Sequence, residues 1–117
     1  MYTISKRFQF SASHLLNNLE EGHPCSRNHG HNYELTIYLA SKELDKQGFV
    51  LDYQKLDFVK QYVNKFLDHR CLNDVFDFNP TVENMTKKIY DLFKPKCPQL
   101  LAVALSETPN TECIYEP

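Results

Sequence analysis

Residues 2–14 alternate in character: Tyr2, Ile4, Phe8, Phe10 and Ala12 share one parity, and Thr3, Ser5, Arg7, Gln9, Ser11 and Ser13 hold the other. That is the pattern of a half-buried strand, and His14 falls on its apolar parity. Residues 15–28 carry Gly22, Pro24 and several Asn and Glu, which predicts a loop. A second strand follows, with His29, His31, Tyr33, Leu35, Ile37 and Leu39 on one face. Gln47-Gly48 then turns the chain into an expected short strand at 49–51. From Asp52, a natural N-cap, the period becomes helical through Leu56, Val59, Val63 and Phe66-Leu67, and residues 68–73 close that helix. A second helix is predicted after Asn79-Pro80, capped by Thr81, with Val82, Met85, Ile89 and Leu92-Phe93 as its stripe and Pro95 and Pro98 as its stop. Residues 99–107 and 112–115 read as two more strands, joined by a turn at Pro109-Asn110. This order predicts one α+β domain over residues 1–117, a four-stranded antiparallel sheet with both helices on one face. The open edges of so small a sheet invite pairing with other subunits.

The chemistry concentrates in Cys25-Ser26-Arg27-Asn28-His29-Gly30-His31. His29 and His31 are two apart, so on a strand both imidazoles project from one face. With His14 at the end of the neighbouring strand, they form a candidate zinc site. Three protein ligands leave a fourth position open, as in catalytic rather than structural sites. Gly30 between the ligands allows another backbone or a ligand to come close. His23 is expected to be a solvent-exposed bystander. Cys25 reads as a fourth ligand, as an inert loop thiol, or as a base or nucleophile whose pKa a nearby cation would lower. Asp68-His69 reads as a solvated helix end or as a proton relay in which the carboxylate orients the imidazole. Glu107 continues the parity of Leu101, Val103 and Leu105. It is either a surface glutamate or the anchor of a planar guanidine-like edge, which a carboxylate meets with two parallel hydrogen bonds.

Composition narrows the function classes. The chain is 42% hydrophobic and 24% charged with a net charge of −2, and its Lys and Arg are scattered. No basic patch exists for nucleic acid or an anionic membrane. No apolar stretch approaches the roughly 18 residues that cross a bilayer, and the start of the chain lacks a signal-peptide pattern. The expected compartment is therefore the cytoplasm. Cys25, Cys71, Cys97 and Cys113 are read as free thiols, without the paired Cys-x2-Cys spacing of structural zinc sites.

Several segments together resemble one family: Phe8-Gln9-Phe10-Ser11-Ala12-Ser13-His14, Cys25-x3-His29-Gly30-His31-Asn32-Tyr33, and Leu67-Asp68-His69-x2-Leu72-Asn73, then Asn79-Pro80-Thr81-x-Glu83-Asn84 and Ser106-Glu107-Thr108. They occur in the order found in the 6-pyruvoyltetrahydropterin synthase superfamily. The three-residue gap between Cys25 and His29, and the ending Cys113-Ile114-Tyr115, look most like its 6-carboxytetrahydropterin synthase branch in queuosine biosynthesis. Asn28 stands where relatives of that branch often carry Leu, and Ser13 where Ala is common. The resemblance implies a tunnelling fold, with trimers around a barrel stacked into a homohexamer and active sites between subunits. It implies one zinc ion per subunit on His14, His29 and His31, with Cys25 as general base. Asp68 and His69 would relay protons from a neighbouring subunit. Glu107 would anchor the pterin ring, with Thr81 and Thr108 as substrate contacts, and Arg27 and Arg70 would be candidates for holding phosphate. The implied reaction is that of a carbon–carbon lyase acting on 7,8-dihydroneopterin triphosphate. The alternatives are a 6-pyruvoyl synthase, which eliminates triphosphate without cleaving the chain, and a zinc- or pterin-binding module without activity.

Overall fold

A computed structural model describes residues 1–117. Its centre is a long antiparallel pair, β1 (Tyr2–His14) and β2 (His29–Ser41), in unbroken register from Tyr2 opposite Ser41 to His14 opposite His29. Because side chains alternate along each strand, this register stacks the predicted apolar parities on one face. Phe8 lies opposite Leu35 and Phe10 opposite Tyr33, whose rings stack with centroids 4.9 Å apart. Strand β4 (Leu100–Ser106) pairs antiparallel with β2 and places Leu105 and Val103 beside Leu35 and Ile37. Strand β5 (Cys113–Tyr115) closes that edge against β4.

Both helical segments cover the apolar face, as expected. Residues 53–56 form one 3₁₀ turn capped by the Asp52 carboxylate, which accepts the Gln54 N–H. Helix α1 (Asp57–Tyr62) continues it, and the last turn widens to a π-turn over Val63–Leu67. The stripe Leu56, Val59, Val63 and Leu67 is fully buried. Helix α3 (Val82–Phe93) starts where Thr81 Oγ1 accepts the Asn84 N–H and sinks Met85, Ile89 and Phe93 into the same core. Such sites typically lose about 2–5 kcal/mol on truncation to Ala, so they fix how the helices sit on the sheet. No helix is long and apolar enough to cross a membrane.

Three details differ from the expectation. The sheet has five strands, in the order β3-β1-β2-β4-β5, because Arg70–Cys71 forms a two-residue β3 parallel to β1 at Ala12 and Ser13. The segment after the first helix therefore does not simply close it; it returns to the sheet edge and then forms one helical turn, α2 (Leu72–Val75). The apolar run 49–51 is not a strand. Asp45 Oδ1 accepts the N–H groups of Gln47 and Phe49, and Gly48 takes φ +89°, so local Asx-turn chemistry overrides the short apolar signal.

Candidate active site

The β1–β2 register ends where it matters chemically. His14 faces His29, and His31 faces Ala12 two pairs back, so the three imidazoles share the apolar face at the end of the ladder. Their ring centroids lie 4.6, 5.1 and 4.8 Å apart, and one potential ligand atom from each falls within 4.8 Å of the others. The outer nitrogens are already committed. His14 Nδ1 is 2.9 Å from the Pro80 carbonyl and His29 Nδ1 is 2.7 Å from the Arg27 carbonyl. A carbonyl only accepts, so both Nδ1 atoms carry the proton and both Nε2 atoms present lone pairs inward. Tyr33 Oη lies 3.3 Å from His14 Nδ1 and closes the outer side of that ring.

His14 Nε2 and His31 Nε2 are buried without any hydrogen-bond partner. A buried, unsatisfied polar atom costs about 1–3 kcal/mol, so two pointing at one place call for an explanation. Both rings titrate below the ordinary histidine value of 6.5, first because burial disfavours the cation. Imidazoles with converging nitrogens, two of them (His14 and His29) with the second nitrogen fixed by a carbonyl, are the donor set of a divalent-metal site, and they fit zinc. The three histidines could hold a metal ion.

Glu107 lies just beyond β4 and brings Oε2 to 3.5 Å from His31 Nε2. The distance suggests an ion pair, but burial keeps His31 neutral and the nitrogen receives no hydrogen bond, so the two are neighbours rather than a charged pair. The glutamate shares a recess with Val82, Glu83, Leu105 and Cys113. Thr81 follows the carbonyl that holds His14, and its hydroxyl caps α3. Thr108 Oγ1 pairs with Thr111 Oγ1 at 3.1 Å in the β4–β5 connection, lining a recess on the helix-free face with Ser106 and Asn110.

Cys25 sits half-buried in a 3₁₀ turn, Pro24–Ser26, on the loop between β1 and β2. Its sulfur does not belong to the three-histidine cluster. His23, expected as a bystander, is exposed but not idle. Its Nδ1 accepts the Cys25 N–H at 3.0 Å and caps the turn. A His directly before Pro-Cys-Ser is in the position where Asp or Ser usually caps, which is the signal that could have identified it.

The Asp68–His69 pair is built by backbone geometry. The π-turn lets the Asp68 N–H reach back to the Val63 carbonyl at 2.8 Å, and His69 then turns left-handed with φ +58°. The pair docks on Ser11 of β1: Asp68 Oδ1 accepts the Ser11 N–H at 2.9 Å, and the His69 N–H donates to the Ser11 carbonyl at 2.6 Å. Asp68 Oδ2 lies 3.0 Å from His69 Nδ1, which orients the ring and leaves Nε2 outward. The Ser11 N–H, with help from His69, holds the Asp68 carboxyl below its usual range. Asp68 and His69 line recesses floored by Ser11, Asn32 and, for His69, Ser13 and Gly30, on the helix-free face. The triad faces the helices. One chain therefore gathers His14, His29, His31 and Glu107, and keeps its own Asp68–His69 pair on the other face. Of the basic candidates, Arg27 lends its carbonyl to His29, and Arg70 Nη2 donates to the Lys65 carbonyl at 3.2 Å.

A sequence model described as 6-pyruvoyl tetrahydropterin synthase matches residues 3–117. The chain is 36% identical to a 6-carboxy-5,6,7,8-tetrahydropterin synthase of Bacillus subtilis, over 99% of this chain and 86% of the relative. It is also 36% identical to a dihydroneopterin monophosphate aldolase of Pyrococcus furiosus, over 81% and 77% of the two chains. Among solved structures, the 6-pyruvoyl tetrahydropterin synthase of Caenorhabditis elegans superposes with a TM-score of 0.86 at 28% identity, covering 99% of this chain and 95% of that one.

Proposed function

This chain belongs to the 6-pyruvoyl tetrahydropterin synthase family and has a pterin-synthase type of function, and we propose that its reaction is that of a zinc-dependent 6-carboxy-5,6,7,8-tetrahydropterin synthase of the queuosine pathway. It converts 7,8-dihydroneopterin triphosphate and one water to 6-carboxytetrahydropterin, acetaldehyde and triphosphate. The observation that carries this reading is the pair of orphaned Nε2 atoms of His14 and His31, the latter 3.5 Å from the Glu107 carboxylate. Zinc held there supplies Lewis-acid polarisation of the substrate's side-chain hydroxyls.

The chain's own groups divide the remaining work. Glu107 anchors the amino-pyrimidine edge of the pterin by paired hydrogen bonds, and Thr81 and Thr108 bound the ring site. Cys25 takes a proton from the first side-chain carbon, and the Asp68–His69 pair moves protons to and from the far side of the substrate. Because that pair lies on the helix-free face, it serves the triad of a neighbouring subunit. Assembly into a homohexamer with shared sites is therefore part of the proposal. The chain acts as a single domain, in the cytoplasm, on a small-molecule substrate.

The resemblance to the Pyrococcus aldolase supports a second reading, in which the chain breaks the same side chain by retro-aldol cleavage. Mass spectrometry of the products formed by zinc-loaded protein from dihydroneopterin triphosphate and, in parallel, from the monophosphate separates the readings. A 6-carboxy product with acetaldehyde supports the proposal. A 6-hydroxymethyl product assigns aldolase chemistry, and a 6-pyruvoyl product assigns triphosphate elimination. Zinc binding without turnover leaves a binding module.

A further inference from the structure

Beyond His14 the β1–β2 ladder stops, yet the chain stays tethered for three more residues. The Leu15 N–H donates to Asn73 Oδ1 at 2.9 Å, and Asn73 Nδ2 donates back to the Leu15 carbonyl at 2.9 Å. Two residues on, the Asn17 N–H donates to Asn79 Oδ1 at 2.9 Å, and Asn79 Nδ2 donates to the Asn17 carbonyl at 3.2 Å. In an extended chain, residues 15 and 17 offer both backbone groups to one edge and residue 16 offers its own to the other. Each asparagine therefore makes the paired bonds that a neighbouring strand residue would make. Leu16 points the opposite way, and its N–H donates to the Cys25 carbonyl at 2.8 Å. Asn18 then takes φ +62° and ends the extended run.

We infer that Asn73 and Asn79 are positioning residues that hold Cys25 in register with the metal-ligand cluster through the rail Leu15-Leu16-Asn17. Only a side-chain amide can serve both rail residues this way, since it alone among short side chains carries a donor and an acceptor in one plane. Both amides are themselves fixed to the site. Asn73 is in the first turn of α2, which β3 joins to the Asp68–His69 segment. The Asn79 carbonyl accepts from Asn84 Nδ2 at 3.0 Å and the Thr81 N–H at 2.8 Å, and the next carbonyl, that of Pro80, holds His14. The thiol-bearing loop and the first metal ligand thus share one frame. The catalytic consequence rests on the reading of Cys25 as the base; the frame itself does not.

The test uses the separate variants Asn73→Asp and Asn79→Asp in the zinc-loaded protein. Each keeps an acceptor for the rail N–H and sets a carboxylate oxygen against the rail carbonyl. Amide exchange at Leu16 is expected to rise at least tenfold and alkylation of Cys25 at least threefold, with zinc content unchanged. Because small misplacements of a reacting group are costly, kcat should fall about tenfold or more while KM stays within about threefold. In a Cys25→Ala background the same changes should remove no further activity, which a merely structural role would not predict. The unmodified protein provides a check that needs no variant. Leu15, Leu16 and Asn17 amides should exchange far more slowly than the unbonded amides of Glu20 and Glu21 in the same loop. Equal exchange there, or Leu16 exchange and kcat both unmoved in the variants, overturns the inference. Faster exchange and alkylation in a protein without turnover upholds the frame and removes the proposed reaction instead.

Discussion

His69 is the one site residue held in a left-handed conformation, at φ +58°, and that makes a signed prediction about stability. A side chain with a Cβ in that region costs about 1–2 kcal/mol, and glycine escapes the cost. Glycine gives back about 0.4–1 kcal/mol through the greater freedom of its unfolded chain. His69→Gly should therefore be more stable than His69→Ala by about 1 kcal/mol. That reverses the order expected in a helix, where Gly is the worse residue by a similar amount. Both variants lose the contact with Asp68 at 3.0 Å, but the His69 side chain is 83% exposed, so the loss is at most about 1 kcal/mol and is common to both. Both keep the backbone bond from residue 69 to the Ser11 carbonyl. Urea unfolding at one protein concentration and one zinc level reads the difference as a midpoint shift of about half molar, given a slope of about 1–3 kcal/mol per molar. Turnover should fall in both, because neither retains the imidazole. If Ala equals or exceeds Gly in stability, the turn at residue 69 is not left-handed in solution, and the docking of Asp68 and His69 on Ser11 is wrong with it.

Cys25→Ala should lower turnover by about 10²–10⁴-fold, the usual range for a lost general base, with zinc content intact; metal analysis beside steady-state rates checks both halves. His31→Ala should lose the metal itself, since it removes one of only three converging nitrogens, and zinc measured after gel filtration is the readout. For Asp68→Asn the prediction concerns pH. The Asp68 carboxyl lies below its ordinary value of 3.8, so the folded chain binds fewer protons there than the unfolded chain. Its stabilisation is complete above 3.8 and fades as pH falls through the depressed value. The amide variant still offers Ser11 an acceptor and lacks this titration. Unfolding curves of parent and variant should therefore converge only below about pH 4, and a constant gap throughout would contradict the Ser11 contact.

The strands and the histidine cluster could be read from the chain because they are written in short, regular intervals. Alternation from Tyr2 to His14 and from His29 to Leu39 fixed which side chains share a face, and the register then had to bring the histidines together. Asp52 and Thr81 were recognisable as caps for the same reason, as local chemistry beside a periodic stripe. What escaped was either too short or settled by tertiary contact. Arg70–Cys71 is two residues long, and its strand exists only because β1 offers an edge. Nothing at position 69 announces a left-handed residue, since histidine there replaces the expected glycine or asparagine. The run at 49–51 carried a strand-like composition but lost to the Asp45 side chain, which took two backbone N–H groups first. Asn73 and Asn79 stood out only as letters of a motif; their two-bond geometry is a property of the fold.

The end of the sheet explains why the site is built from so many side chain–backbone bonds. The three histidines lie where β1 and β2 stop pairing, at His14 opposite His29. Stopping the ladder leaves polar backbone groups without partners, and buried ones cannot stay so. Pro80 and Arg27 carbonyls take the outer ring nitrogens, asparagine amides take Leu15 and Asn17, and the Cys25 carbonyl takes Leu16. On the outer edge of β1, Ser11 is satisfied by Asp68 and His69 in the same manner. Each replacement bond therefore ties a neighbouring segment to the end of the sheet that bears the histidine cluster. The polar residues around the cluster are the means by which the sheet ends here, and their bonds place Cys25, the three histidines and the Asp68–His69 pair at fixed positions in the fold.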